Sequence, residues 1–188
     1  MSERAHIDLT NQFLIAMPSM ADPNFAGAVV YVCEHTEKGA LGLVINRPTD
    51  LTLATLFERI ELSLADADRA EAPVFYGGPV QTDRGFVLHD PAGEYTSSIQ
   101  VGGLALTTSR DVLQAVSEGQ GPGKMLVTLG YAGWGAGQLE GELAGNAWLS
   151  VSASPDIIFN VPPAERFDAA LGLLGIAPIM LAGEAGHA

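Results

Sequence analysis

The sequence predicts a single α+β domain built on a mixed β-sheet. Three observations lead there. Runs of β-branched and aromatic residues, bounded by turn residues, dominate the first half. Strand-like and helix-like runs alternate in the second half. No internal repeat and no long linker divides the 188 residues, a length that suits one domain. A domain of that size can bury about 70% of the surface its unfolded chain exposes, so it needs no disulfide or metal to fold.

Each element follows from local pattern. Phe13 to Met17 is a first strand, ended by Pro18, and Asp22-Pro23-Asn24 is a turn signal. Ala28 to His35 is apolar on both faces, which argues for a central, covered strand. Glu37-Lys38-Gly39 turns the chain and Leu41 to Asn46 returns it, forming an antiparallel hairpin. Leu53, Leu56, Phe57 and Ile60 share one helical face. Residues 61–72 are alanine-rich and acidic, a solvated connection. Val74 to Tyr76 and Gly85 to His89 are strands joined through Gly77-Gly78-Pro79. Leu104 to Thr108 is a weaker strand.

Ser109 is placed to cap a helix through Val116, with Asp111 in its first turn and Gly119 at its end. Gly121-Pro122-Gly123 is a loop, and Met125 to Leu129 a buried strand. A helix from Ala136 to Ala144 ends at Gly145-Asn146, and Trp148 to Ser152 is a strand. The last helix has Pro163 near its first turn, Glu165 at its positive end, and Phe167, Ala170, Leu171 and Leu174 on one face. Gly175 stops it, and the tail from Ala182 is expected to be mobile.

Composition excludes several function classes. The net charge is −13, from 22 acidic against 9 basic residues, and the basic residues are scattered. Such a field repels phosphate backbones and anionic lipid, so direct DNA binding and membrane binding are not expected. No window approaches the ~20 apolar residues of a membrane span, and no signal peptide is visible at the start. Cys33 is the single cysteine, which fits a reducing, cytoplasmic setting. No pattern specifies an oligomeric state.

Leu129-Gly130-Tyr131-Ala132-Gly133-Trp134-Gly135-Ala136-Gly137-Gln138-Leu139-Glu140 is the most prominent motif. A strand, a glycine loop and a helix in that order can cradle a phosphate. Gly133 and Gly135 supply the first pair of a dinucleotide fingerprint, but Gln138 replaces the third glycine. Asp156 lies at a suitable distance, yet Glu140 and Glu142 sit where a phosphate wants positive potential. The run therefore reads first as a close-packing turn that holds Trp134 and a helix against the sheet. Nucleotide binding at Gly130 to Gly137 is the alternative. Residues 119–124 are too rich in mismatches to form a phosphate loop.

Cys33-Glu34-His35 is the best chemical cluster. In a regular strand Cys33 and His35 share a face, where a thiol and an imidazole form a nucleophile pair or two metal ligands, with His89 as a third group. The bland alternative is an inert core thiol. Further ligands for a metal are missing, so neither a metal nor another cofactor is expected. Glu34 shares a predicted face with Val30 and Val32 and so needs a partner, for which Arg47 and Arg84 are candidates. The result is either a structural ion pair or a small polar pocket.

The segments together resemble the AlgH/YqgE family of bacterial proteins. The matching stretches include Phe13-Leu14-Ile15-Ala16-Met17-Pro18, Val32-Cys33-Glu34-His35, Gly42-Leu43-Val44-Ile45-Asn46-Arg47-Pro48 and Gly77-Gly78-Pro79-Val80. They continue through Arg84-Gly85-Phe86-Val87-Leu88-His89, Gly130-Tyr131-Ala132-Gly133-Trp134, Gly137-Gln138-Leu139-Glu140 and Gly186-His187-Ala188. Thr36 departs from the Asn expected after Cys-Glu-His. The resemblance implies a compact α+β fold with a mostly antiparallel sheet, curled and barrel-like, flanked by four or so helices. It supplies no catalytic residues. Some members carry a transcriptional-regulator label, which implies contact with a protein or small molecule for a chain this acidic.

The leading expectation is a non-enzymatic, cytoplasmic binding or regulatory protein. Its partner, a protein or a small molecule, would meet a polar groove near Glu34, His35, Asn46, Arg47, Pro48, Gly77, Gly78, Arg84 and His89. The rival is a small-molecule enzyme acting through Cys33, His35 or His89.

Overall fold

A computed structural model describes residues 7–175. The expected mobile tail and the terminal Gly186-His187-Ala188 lie outside the described residues. The first strands are β1 (Gln12–Ala16), β2 (Val29–Thr36), β3 (Gly39–Val44), β4 (Pro48–Thr52) and β5 (Pro73–Tyr76). Then come β6 (Val80–Asp90), β7 (Ser98–Val101), β8 (Leu104–Thr107), β9 (Lys124–Gly135) and β10 (Trp148–Ser152). The α-helices are α1 (Leu53–Arg59), α2 (Asp111–Ser117), α3 (Gln138–Ala144), α4 (Pro155–Phe159) and α5 (Arg166–Leu173).

The strands form one sheet in the order β10-β1-β2-β3-β9-β6-β8-β7, with β4 joined to β5 and β5 to β9. The β5–β9 pair is parallel and every other pair is antiparallel. The sheet curls into a half-barrel, and the whole is one α+β domain. The long strand β9 causes the curl. Its residues 132–135 pair with β3, whereas 124–131 pair with β6, so one strand serves two sheet segments in succession.

Three apolar clusters hold the helices to the sheet. Phe13, Ile15, Tyr31, Cys33, Leu43 and Leu88 pack on one side with Ile157 and Ile158 of α4 and Ala170 and Leu171 of α5. Leu14, Val30, Val32, Trp134 and Trp148 face the other way, under Leu139 of α3. Phe57 of α1 and Val112 and Val116 of α2 cover Val87 and Val127. Burying each such large side chain stabilises the fold by about 1.5–3 kcal/mol.

The glycines of Gly77-Gly78-Pro79 have a topological cause. Leu129 pairs with Tyr76 of β5 and with Gly85 of β6, so those strands flank β9 on opposite sides. The connection between them must cross the face of β9. A Cβ at Gly77 would collide with the Gly130 carbonyl, one at Gly78 with the Tyr131 carbonyl, and one at Gly130 with the Gly78 carbonyl. Backbone passes over backbone there, which bare glycine permits.

A β-bulge changes the expected register of the first hairpin. Val32 opposes Gly42, but Glu34 opposes Leu41, so two residues on β2 face one on β3. The side-chain alternation flips at that point. Cys33 stays with the Tyr31 cluster, while His35 stands opposite Ala40 on the α3 side. The predicted shared face of Cys33 and His35 is therefore corrected, and so is the predicted burial of Glu34, which is exposed.

Other departures have local reasons. β4 begins with Pro48, lacks alternating apolar residues and pairs only with β5, so no periodic signal marks it. β7 is an edge strand with three exposed residues, and α4 has five residues, too few to show a helical period. Ser109 does not cap α2. It accepts from Ser97 N–H and donates to Asp111 Oδ1, and this donation to the carboxylate holds the Asp111 carboxyl below its usual range. Arg166, which no motif singled out, is 5% exposed. It donates to the carbonyls of Val161 and Ile45 and lies 5.0 Å from the Phe75 ring centroid. Burial lowers its pKa to about 10.

Candidate functional site

The predicted site residues are dispersed over the fold. Asn46 and Arg47 pin the 22–28 loop. Asn46 accepts from Val29 N–H and donates to Gly27 O, and Arg47 donates to the carbonyls of Pro23, Asn24 and Ala26. Pro48, exposed, simply opens β4. His35 lies six residues further along β2 than Val29, about 20 Å away at strand rise. His89 pairs with Met125 on β9, nine residues and about 30 Å from Trp134, which stands beside the Ala40–His35 row. The nine positions thus do not form one groove.

Their bonding explains the separation. His89 is fully buried, with Nδ1 2.9 Å from Pro91 O and Nε2 2.7 Å from Thr107 Oγ1. Arg84 is exposed, bonds Gln81 Oε1 and lies over Phe86. Neither Arg47 nor Arg84 pairs with Glu34. Gly77 and Gly78 are structural, at the strand crossing. His35 Nδ1 accepts from Leu9 N–H, and its Nε2 lies 3.1 Å from Glu140 Oε2. An accepting Nδ1 leaves Nε2 to carry the ring proton toward the carboxylate.

Cys33 is 2% exposed, and burial pushes its thiol pKa far up. Cys33, His35 and His89 therefore share no surface. Among the described residues, no group of three or more His, Cys, Asp or Glu side chains is placed to hold a metal.

The glycine run is also corrected. Residues 130–135 are strand, not loop, and only Ala136-Gly137 turns the chain into α3. Gln138, the residue that breaks the fingerprint, accepts from Gly135 N–H and donates to Glu142. Glu142 Oε1 accepts both indole N–H groups, from Trp134 and Trp148, each at 2.9 Å. Polar residues of α3 thus bind the strand pair beneath them.

A concavity of about 410 Å³ does form where β2, β3 and β9 end together. The bulge places Glu34 beside Leu41, and Thr36 and Lys38 come from the hairpin turn. Val80 and Tyr131 close the opposite side, and Gly133 and Trp134 of β9 lie between. Gly133 is exposed, its φ is ordinary, and an added Cβ would meet nothing nearer than the Tyr131 ring at 3.3 Å. No backbone crossing requires glycine there, unlike Gly78 or Gly130. Of the predicted residues, the groove contains Glu34 alone. Lys38 and Val80 were missed as site residues, and Tyr131 and Gly133 were candidates only within the alternative nucleotide site at Gly130 to Gly137.

The AlgH-like family model matches residues 13–179. The chain belongs to this family. It is 70% identical to a UPF0301 protein of Bordetella avium over 181 residues, covering 96% of this chain and 92% of that one. It is 67% identical to a UPF0301 protein of Ralstonia nicotianae over 188 residues, covering 100% and 99%. The solution structure of the AlgH protein from Pseudomonas aeruginosa superposes with a TM-score of 0.80 at 52% identity, over 100% of both chains. A crystal structure of protein DIP2367 from Corynebacterium diphtheriae shares the fold at 21% identity, with a TM-score of 0.68, covering 89% of this chain and 87% of that one. In this AlgH-like chain every residue of the groove lies within the matched span. No described helix is long and apolar enough to cross a membrane.

Proposed function

We propose that this AlgH-like protein is a non-enzymatic, cytoplasmic binding protein that recognises a protein segment or a small molecule in the groove beside the β2–β3 turn. Gly133 carries the reading. A strand interior favours residues with side chains, and no backbone crossing forces a glycine at this position, where an added Cβ would press on the Tyr131 ring alone, at 3.3 Å. Its presence bares β9 backbone in the floor of a groove, between Tyr131 and Trp134 and opposite Leu41. Glu34, Thr36 and Lys38 supply polar groups at the rim.

The candidate catalytic groups favour binding over chemistry, because thiol and imidazoles are buried, internally bonded and open to no common surface. Nucleotide binding is less supported, since the glycine run is strand and Glu140 engages His35. With a net charge of −13, any effect on transcription would run through such a contact rather than through DNA.

The test compares wild type with Gly133→Val and with the charge reversal Glu34→Lys/Lys38→Glu. Metabolite extracts and host lysate are passed over each protein. A ligand or partner retained by wild type and lost by both folded variants supports the reading. Retention unchanged by both variants removes it.

A further inference from the structure

A second cavity, of about 240 Å³, lies between α1, α2 and the β6–β9 pair and shares no residue with the groove. Leu56, Ile60, Leu113 and Leu129 surround it, each half-buried rather than covered. Val87 and Val127 form its floor. Gly85 also lies there, exposed, with no atom within 4 Å of where its Cβ would be and no left-handed φ. The fold places no demand for glycine at this position, and the missing side chain keeps the cavity open.

Two opposite charges stand at the mouth. Arg110 donates through Nη2 to Ile60 O, which fixes its guanidinium at the rim. Asp83 lines the same cavity, and neither is ion-paired among the described residues.

We propose that this cavity binds a free α-amino acid with an apolar side chain. The carboxylate meets Arg110, the ammonium group meets Asp83, and the side chain fills the space above Val87 and Val127. The charge pattern selects this class. A fatty acid leaves its carboxylate facing Asp83, and an alkylamine leaves its ammonium facing Arg110. A neutral hydrocarbon uses neither charge, whereas a zwitterion satisfies both. The net charge of −13 repels a bare anion but not a neutral zwitterion. Size agrees, because the cavity lies below the ~300–1,000 Å³ range of sites for drug-sized ligands.

The experiment is a methyl-resolved NMR titration of the full chain with leucine, phenylalanine, alanine, isovalerate and isoamylamine. Leucine or phenylalanine should give saturable shifts at Leu56, Val87, Leu113 and Val127. Isovalerate and isoamylamine, each lacking one charge, should bind about tenfold more weakly. Arg110→Gln and Asp83→Asn should each weaken leucine binding about tenfold, and Asp83→Asn should not weaken isovalerate. Gly85→Leu should fill the cavity and abolish the shifts. If that variant fails to fold, the two rim variants decide, because both side chains are exposed. Shifts that do not saturate, leucine binding untouched by Arg110→Gln, or isovalerate binding as tightly as leucine would each overturn the proposal.

Discussion

Cys33 and His35 stand two residues apart on β2 yet project from opposite faces of the sheet, because the bulge at Val32–Glu34 reverses the alternation between them. Cys33 lies among Tyr31 and Leu43, and His35 reaches Leu9 and Glu140 across the other face.

The thiol should therefore be inert in the folded protein. Alkylating reagents should label Cys33 only after denaturation. Burial holds its folded pKa above that of the unfolded thiol, which is about 8.5. The unfolded state alone then releases the proton, so stability is full below that pH and falls as pH rises above it. Urea melts between about pH 8 and 9, below the range where tyrosines titrate, should show this slope, and Cys33→Ala should flatten it. Rapid native labelling would contradict the placement.

The glycines should divide into two classes. Gly78→Ala forces a Cβ into the Tyr131 carbonyl at a φ of +153°, so a loss of more than about 2 kcal/mol is expected. Gly85→Ala meets nothing within 4 Å and should be neutral or stabilising by up to about 1 kcal/mol. Chemical denaturation of both variants checks the contrast. Equal effects would mean that the crossing at Gly77–Gly78 is misplaced.

Glu142 should be worth more than a surface carboxylate, because it accepts from two buried indoles. Glu142→Leu leaves both N–H groups without an acceptor and should cost about 2–4 kcal/mol. Glu142→Gln keeps one acceptor oxygen and should cost less. Tryptophan fluorescence reports both the melt and the environment of the rings.

Arg166 should not tolerate lysine. Its guanidinium reaches two carbonyls, Val161 O and Ile45 O, and stacks on Phe75, which a single ammonium group cannot reproduce. Arg166→Lys should destabilise by about 1–3 kcal/mol. A melting curve matching wild type would show that the stacked geometry contributes nothing.

Local order alone determined a large part of this molecule. The 28–46 hairpin is legible because β-branched residues and a Glu-Lys-Gly turn act within a few positions of one another. The α1 face and the strands around Phe13, Leu104, Met125 and Trp148 are legible for the same reason, as is the stop at Gly175. The glycine run was not legible in this way, since the predicted turn at 130–135 is strand and only Ala136-Gly137 turn the chain.

The candidate site was barely legible, and physics says why. The bulge that exposes Glu34 depends on pairing with Leu41 and leaves no mark in the composition of β2. His35 meets Glu140 across 105 positions, and Arg166 meets Ile45 across 121, distances over which no periodicity carries information. The groove exists where β9 leaves one sheet segment for another, and the second cavity where α1 and α2 pack over the β6–β9 pair. Both are set by the packing of whole elements, so only the tertiary structure decided which exposed side chains came to share a surface.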